Sequence, residues 1–203
     1  MLPANGSTIF QPGTPIPTVY AHLVGHHSMW SKYNYYQIYS RAFISDECNK
    51  LIDCHKQLSA DHSILGTSRD SNLYWISDNT DLTRHFFDNV YDKVLDYNQN
   101  FNFEITKPTY AQLTKYSPAQ YYHWHQDIGG GDPSFRKISV SVQLTSKDQT
   151  GGIEILYGQD SPIINLEQGD LVVFPSWATH RATQPTVERW SLVFWIRGTN
   201  PFR

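Results

Sequence analysis

The chain has 203 residues and a formal charge of -3, with charged residues only 17% of the total and no basic run, which excludes the electrostatic footprint of a nucleic-acid binder. No stretch approaches the roughly 18 consecutive apolar residues of a membrane span, and the two cysteines, Cys48 and Cys54, are too few for a disulfide framework, so a reduced, cytoplasmic chain is expected. Aromatic residues reach 14% against 39% hydrophobic overall, a balance that favours a β-rich core because aromatic rings fit pleated surfaces.

Residues 1–30, with Pro3, Pro12, Pro15 and Pro17, read as an extended, irregular arm, and the opening "MLPANGSTIF" has neither the basic nor the apolar region of a secretory signal. The histidines His22, His26 and His27 in "HLVGHHSMW" have no Cys, Asp or Glu at metal spacing and read as a loop. "SDECNKLIDCHKQL" predicts a helix capped by Ser45 or Asp46, with Ile44, Cys48, Leu51, Ile52, His55 and Leu58 on its apolar face. "SNLYWISD" reads as a strand. "DLTRHFFDNVYDKVLDYNQNF" predicts a longer helix that starts at Thr80 or Asp81 and buries Leu82, Phe86, Val90, Val94 and Tyr97. After Pro108 short strands follow one another at turn-marked intervals: "TYAQLTKY", "YYHWHQ", "KISVSVQLT", "GGIEILY", "PIINLE", "DLVVFP", "THRATQ" and "WSLVFWIRG". The expected fold is mainly β with helices (α+β), a double-stranded β-helix (jelly roll) buttressed by two N-terminal helices. A single domain over 1–203 is expected, divided into the arm (1–30), a helical support region (35–108) and the jelly-roll core (109–198).

The chemistry concentrates in "YYHWHQD". In a regular strand residues two apart share a face, so His123, His125 and Asp127 are expected to look the same way, with His123 toward the pocket mouth or toward a group behind the ligands. His125 is the preferred ligand because only it has an aspartate two residues on. A third ligand comes from His180 in "GDLVVFPSWATH". Two histidines and one carboxylate leave open metal positions for a co-substrate and O₂, the pattern of non-heme Fe(II) oxygenases. The turn "QPTVE" predicts a hairpin in which His180 pairs directly with Arg189, so that Arg189, Ser191, Val193 and Trp195 line the interior beside it. An interior guanidinium needs a carboxylate to make its burial tolerable. A five-carbon keto diacid chelating the metal would offer one, in a two-pronged grip.

On these residues the sequence resembles the 2-oxoglutarate and Fe(II)-dependent dioxygenases, specifically their prolyl 4-hydroxylase-like branch. "YSPAQYYHWHQD" is similar to that branch's Tyr-x-x-Gly-Gln-Tyr-Tyr-x-x-His-x-Asp, with Ala119 in place of the Gly; "RKISVSVQLT", "GGIEI" and "GDLVVFPSWATHRATQPTVERWSLVFWIRG" are similar to its central and distal strands. The resemblance is specific over residues 109–198 and compatible over 35–103. It implies Fe(II) bound by His125, Asp127 and His180, 2-oxoglutarate held by Arg189, Tyr116 near the chelating end, and Ser191 completing an Arg-x-Ser pattern. Gln143 stands where relatives often place a Tyr that helps Arg189, and Trp195 would flank the co-substrate. The implied reaction is hydroxylation of a C–H bond of a prolyl residue in a peptide, or of a small amino-acid-like molecule, with release of succinate and CO₂ and with ascorbate as a stimulant. The alternative is a cupin-like metal-binding protein or isomerase without oxygenase chemistry.

Around this centre, Arg69, Asn72, Tyr74 and Trp75 in "SRDSNLYWI", together with Tyr122, are placed on the substrate side. "DIGGGDP" reads as a flexible segment suited to a lid. Glu154 reads as a solvated or hydrogen-bonded strand residue in preference to a carboxylate near the metal, and Trp124 and Trp177 as packing groups on the outer face. The sequence carries no signal of oligomeric state.

Overall fold

The structure is a computed structural model that describes residues 35–64, 68–146, 151–158 and 160–202. The predicted arm and His22, His26 and His27 lie outside the described residues.

Helix α1 spans Ser45–Asp53 and runs into a 3-10 turn at Cys54–Gln57; helix α2 spans Asp81–Asn98. The cap of α1 falls at Ile44, one residue before the expected Ser45, because Glu47 reaches back to accept the Ile44 backbone N–H at 2.9 Å. At α2 the cap is Thr80. Its hydroxyl accepts the Thr83 N–H and the Thr83 hydroxyl accepts the Thr80 N–H, both at 3.1 Å, so two orphan donors of the first turn are satisfied reciprocally. The centres of both apolar stripes are buried, whereas Ile44 and Leu58, at the two ends of the face expected for α1, are exposed. Cys48, Leu51, Phe86, Phe87, Val90, Val94 and Tyr97 form one core with sheet residues such as Leu113, Val140, Leu192 and Phe194. No helix among the described residues is long and apolar enough to cross a membrane.

Among the described residues twelve strands follow chain order: β1 (Gln37–Tyr39), β2 (Asp61–Ile64), β3 (Arg69–Ser77), β4 (Ile105–Thr106), β5 (Tyr110–Tyr116), β6 (Tyr121–His125), β7 (Arg136–Gln143), β8 (Ile153–Ile155), β9 (Ile163–Ile164), β10 (Leu171–Pro175), β11 (His180–Ala182) and β12 (Arg189–Gly198). They form one antiparallel sheet in the order β1-β10-β7-β12-β5-β3-β6-β11-β8-β9, with β2 added on β3 and β4 on β12. Strands near opposite ends of that order meet again. Val172 and Phe174 of β10 pack with Ile153 and Ile155 of β8 and Ile164 of β9 in a second core. The sheet therefore curls over itself, jelly-roll fashion, and encloses a cavity between its two leaves.

Two expectations change. The sheet is not confined to 109–198, since β3, from the region read as helical support, lies between β5 and β6 at its centre. Nor do β11 and β12 form a hairpin. His180 pairs with His125 and Ile155, Arg189 pairs with Tyr116, and three strands separate β11 from β12 in the sheet. The segment "QPTVE" crosses between leaves instead of turning back. Pro185 has no N–H to offer a ladder; its carbonyl accepts the Ala119 N–H at 3.3 Å, and its Cα lies 2.8 Å from where a Cβ on Gly151 would sit. The two side chains still converge, because the curl turns the inner faces of both leaves toward one cavity.

Candidate metal centre

His125 ends β6, and β6 is irregular where it matters. His180 is opposite His125, but Ala182 is opposite Tyr122, so two steps on β11 span three on β6. Such a bulge breaks the strict alternation of a strand and re-aims its side chains. Tyr122 and His125 both line the cavity, whereas His123 is exposed and stands against Tyr121. The expectation that His123 shares the face of His125 is corrected by this bulge. Asp127 lies beyond the end of the strand, held where its backbone N–H donates to the Ser176 carbonyl at 2.9 Å.

His125, Asp127 and His180 each offer a ligand atom, and these atoms lie within 4.8 Å of one another. The Nε2 atoms of His125 and His180 stand 3.6 Å from Oδ1 and Oδ2 of Asp127 respectively, too far for hydrogen bonds. Each Nδ1 has a backbone carbonyl beside it, His123 at 2.8 Å and Ala178 at 2.9 Å. A carbonyl only accepts, so Nδ1 carries the proton and Nε2 presents its lone pair. Burial pushes His180 down to about 4, with the neighbouring His125 adding to the shift, so it is neutral at pH 7. Burial alone would raise Asp127, but His180, His125 and the Ser139 hydroxyl together hold it below the usual carboxylate range. Ser139 donates to Asp127 Oδ2 at 2.6 Å and lies 2.9 Å from the Ser176 hydroxyl. Two imidazole Nε2 atoms without a hydrogen-bond partner and a carboxylate whose Oδ2 accepts only Ser139 and whose Oδ1 stays available fit a divalent cation with positions left open.

Across the cavity Arg189 is 2% exposed. Its Nε donates to Gln143 Oε1 at 3.0 Å, and Gln143 in turn donates to the carbonyl and hydroxyl oxygens of Thr145, each at 3.0 Å. Its Nη1 is buried without a partner, and among the described residues no carboxylate pairs with it. Tyr116, Ser191 and Trp195 line the same cavity. Gln143 does not; it stands behind the guanidinium and orients it.

The substrate-side residues divide. Arg69 and Tyr122 line the cavity, and the Tyr122 ring stacks on His125 at 3.5 Å. Trp75 lies outside the lining, half-exposed, with its ring 6.1 Å from that of Trp195. Tyr74 faces the other way, against His55 and Trp190. Glu154 is occupied by a two-pronged ion pair with Arg181 at 2.8 and 3.1 Å. The Arg181 guanidinium also covers Trp124, while Trp177 packs on Phe101 and Phe202. In the "DIGGGDP" segment Asp132 is gripped by Arg197 at 2.6 and 2.7 Å. Ser139 and Gln112 escaped the sequence reading. The signal for Ser139 was present in "RKISVSVQLT", where Ser139, Ser141 and Gln143 alternate with Ile138, Val140 and Val142 on the other face of the strand.

Residues 111–197 match the family model of the 2OG-Fe(II) oxygenase superfamily. The chain carries a 2OG-Fe(II) oxygenase domain. A second model, the N-terminal part of X-prolyl dipeptidyl aminopeptidase PepX, matches residues 22–122. That span overlaps the first, and its β3, β5 and β6 are woven into the oxygenase sheet, so it marks no separate unit. No curated protein matches the sequence. Among solved structures the oxygenase is similar to a Pseudomonas putida prolyl-4-hydroxylase (TM-score 0.71, 19% identity, 82% of this chain and 94% of that one). It is also similar to a Trichoplax adhaerens prolyl hydroxylase in complex with a peptide fragment of the hypoxia inducible factor oxygen degradation domain (0.67, 14%, 89% and 88%). A third is the carbocyclase SnoK of nogalamycin biosynthesis (0.63, 10%, 84% and 85%). The domain is thus a prolyl 4-hydroxylase-like oxygenase in fold, and Fe(II) and 2-oxoglutarate are its cofactor and co-substrate. The cupin-like alternative falls to the family match.

Proposed function

We propose that this oxygenase hydroxylates a C–H bond of an amino-acid-like substrate, prolyl groups included, and that His125 and His180 through Nε2 and Asp127 through its carboxylate hold the iron. Bound there, Fe(II) with 2-oxoglutarate supplies the activation of O₂ and the hydrogen abstraction, with release of succinate and CO₂. The chain's residues supply position and charge. Asp127 offsets part of the cation's charge, and the Nδ1 bonds lock both imidazoles in the ligating tautomer. Arg189 takes the far carboxylate of 2-oxoglutarate, Gln143 holds its Nε, and Val140, Ile153 and Phe174 wall the cavity against water. The peptide held by the Trichoplax enzyme supports a peptidyl substrate and the small-molecule carbocyclase a metabolite; the fold accommodates both.

The observation that carries this reading is the buried Nη1 of Arg189, a cation donor aimed into the cavity with no acceptor in the protein. The test is an anaerobic titration of 2-oxoglutarate into Fe(II)-loaded protein, followed by the visible absorption of the chelated keto acid. Arg189→Ala should weaken 2-oxoglutarate by roughly 30- to several-thousand-fold, the equivalent of about 2–5 kcal/mol for a desolvated charged contact, with iron binding nearly intact. Unchanged 2-oxoglutarate affinity in that variant would remove the assignment.

A further inference from the structure

A second buried guanidinium faces the same cavity. Arg69 opens β3, is 7% exposed, and lines the space between the leaves. Its Nε donates to Ser71 Oγ and its Nη2 to Gln112 Oε1, both at 2.8 Å, and its Cζ lies 4.6 Å from the centre of the Tyr122 ring. Arg69 also acts on the Tyr116 phenol, whose buried hydroxyl is pushed up by desolvation against the opposing pull of Arg69 and Arg189 and stays neutral at pH 7. Every one of these partners is uncharged. Among the described residues no carboxylate pairs with Arg69. Asp70, next in the strand, points to the other face and accepts from Gln120 at 2.8 Å, while Asp127 is committed to the two histidines and Ser139. A buried cation without a counter-charge is strongly unfavourable and persists where a ligand brings one. The cavity thus holds two such cations, and a single bound 2-oxoglutarate provides one far carboxylate, for Arg189. The indole N–H of Trp195, buried and without a partner, is a further donor awaiting an acceptor in the same space.

We propose that Arg69 anchors the substrate, and that the substrate carries a free carboxylate of its own: a free amino acid or the C-terminal residue of a peptide, not an internal residue. Tyr122 touches both Arg69 and His125, so a carboxylate held by Arg69 keeps its own carbon chain beside the metal-binding histidine. This rests on Arg189 being the residue that holds 2-oxoglutarate.

The experiment measures succinate release by wild-type enzyme with Fe(II) and 2-oxoglutarate, against paired probes. These are the free amino acids and their carboxamides, and proline-containing tripeptides with free and amidated C termini. Every stimulating compound should have a free carboxylate, and its amide should lose about 100-fold or more in kcat/KM. Arg69→Gln should raise the KM for the acid at least about 30-fold, with Arg69→Lys recovering part of it, since a point charge restores the attraction but not the two-pronged geometry of the planar fork. The anaerobic affinity of Arg69→Gln for 2-oxoglutarate should stay within about threefold of wild type. An amide as good as its acid, silence from every acid, or an Arg69→Gln effect on 2-oxoglutarate in place of substrate overturns the proposal. Failure of the oxygenase reading itself looks different: wild type would give no absorption band and no succinate before any probe is added, and the proposal would fall with it.

Discussion

Asp127 is the one anion of the metal centre, and its neighbours decide what it can do. It is 7% exposed, and the Ser139 hydroxyl fixes one carboxylate oxygen at 2.6 Å. Ser176 sits behind Ser139 at 2.9 Å, so the group that orients Asp127 is itself oriented. Partners that orient a ligating carboxylate typically contribute 10- to 100-fold in metal affinity. Ser139→Ala should therefore weaken Fe(II) binding by about that factor while leaving the fold intact, as read by Fe(II) titration alongside thermal melting. Native iron affinity in this variant would mean that Asp127 is positioned without the Ser139 hydroxyl.

At the level of elements, the turn into β10 shows how tightly the leaf behind the site is tied to the helices. Gly169 has φ of +88°, and a Cβ there would come within 1.9 Å of the Phe43 carbonyl oxygen. Its own carbonyl accepts the Phe43 N–H at 3.1 Å and its N–H donates to Gln143 O at 2.8 Å. One glycine therefore joins the start of α1, the end of β7 and the turn before β10. Gly169→Ala should cost about 3 kcal/mol or more by urea unfolding, more than a left-handed dihedral alone explains. Gly169→Asn separates the causes. Asn tolerates the dihedral, so recovery in Asn would identify backbone strain, whereas the close approach to Phe43 predicts that Asn is as damaging as Ala. Because Gly169 also holds Gln143, surviving variants should bind 2-oxoglutarate less well.

For the molecule as a whole, helices and sheet share one core. Phe86 of α2 is fully buried, stacks on Phe43 at 3.9 Å, and belongs to the same cluster as Leu113, Val140 and Phe194 of the sheet. Phe86→Ala should cost about 3–5 kcal/mol, the range for a large aromatic removed from a packed core. Because no boundary divides that core, the loss of helical circular dichroism and of iron-site absorption should coincide in one transition. Two separated transitions would mean that the helical region folds as its own unit.

The sequence by itself determined what each segment becomes. The 3.6-residue stripes of α1 and α2 state which helix faces meet the core, the period-two alternation of "RKISVSVQLT" states which strand face is apolar and which polar although both are buried, and the spacing of His125, Asp127, His180 and Arg189 states a chemistry, because local geometry and side-chain type are written in the sequence itself. Tertiary structure alone decided how those segments meet. The short β1, β2 and β4 carry no readable period; they are strands because a neighbour's edge pairs them. Whether "QPTVE" turns back or crosses between leaves depends on contacts to Ala119 and Gly151, far away in the chain. The β6 bulge that turns Tyr122 inward and His123 outward is a mismatch with β11, and no pattern within "YYHWHQD" encodes a partner's register. The missing counter-charges of Arg69 and Arg189 are likewise invisible in one dimension, since an absent partner is a property of the space around a residue.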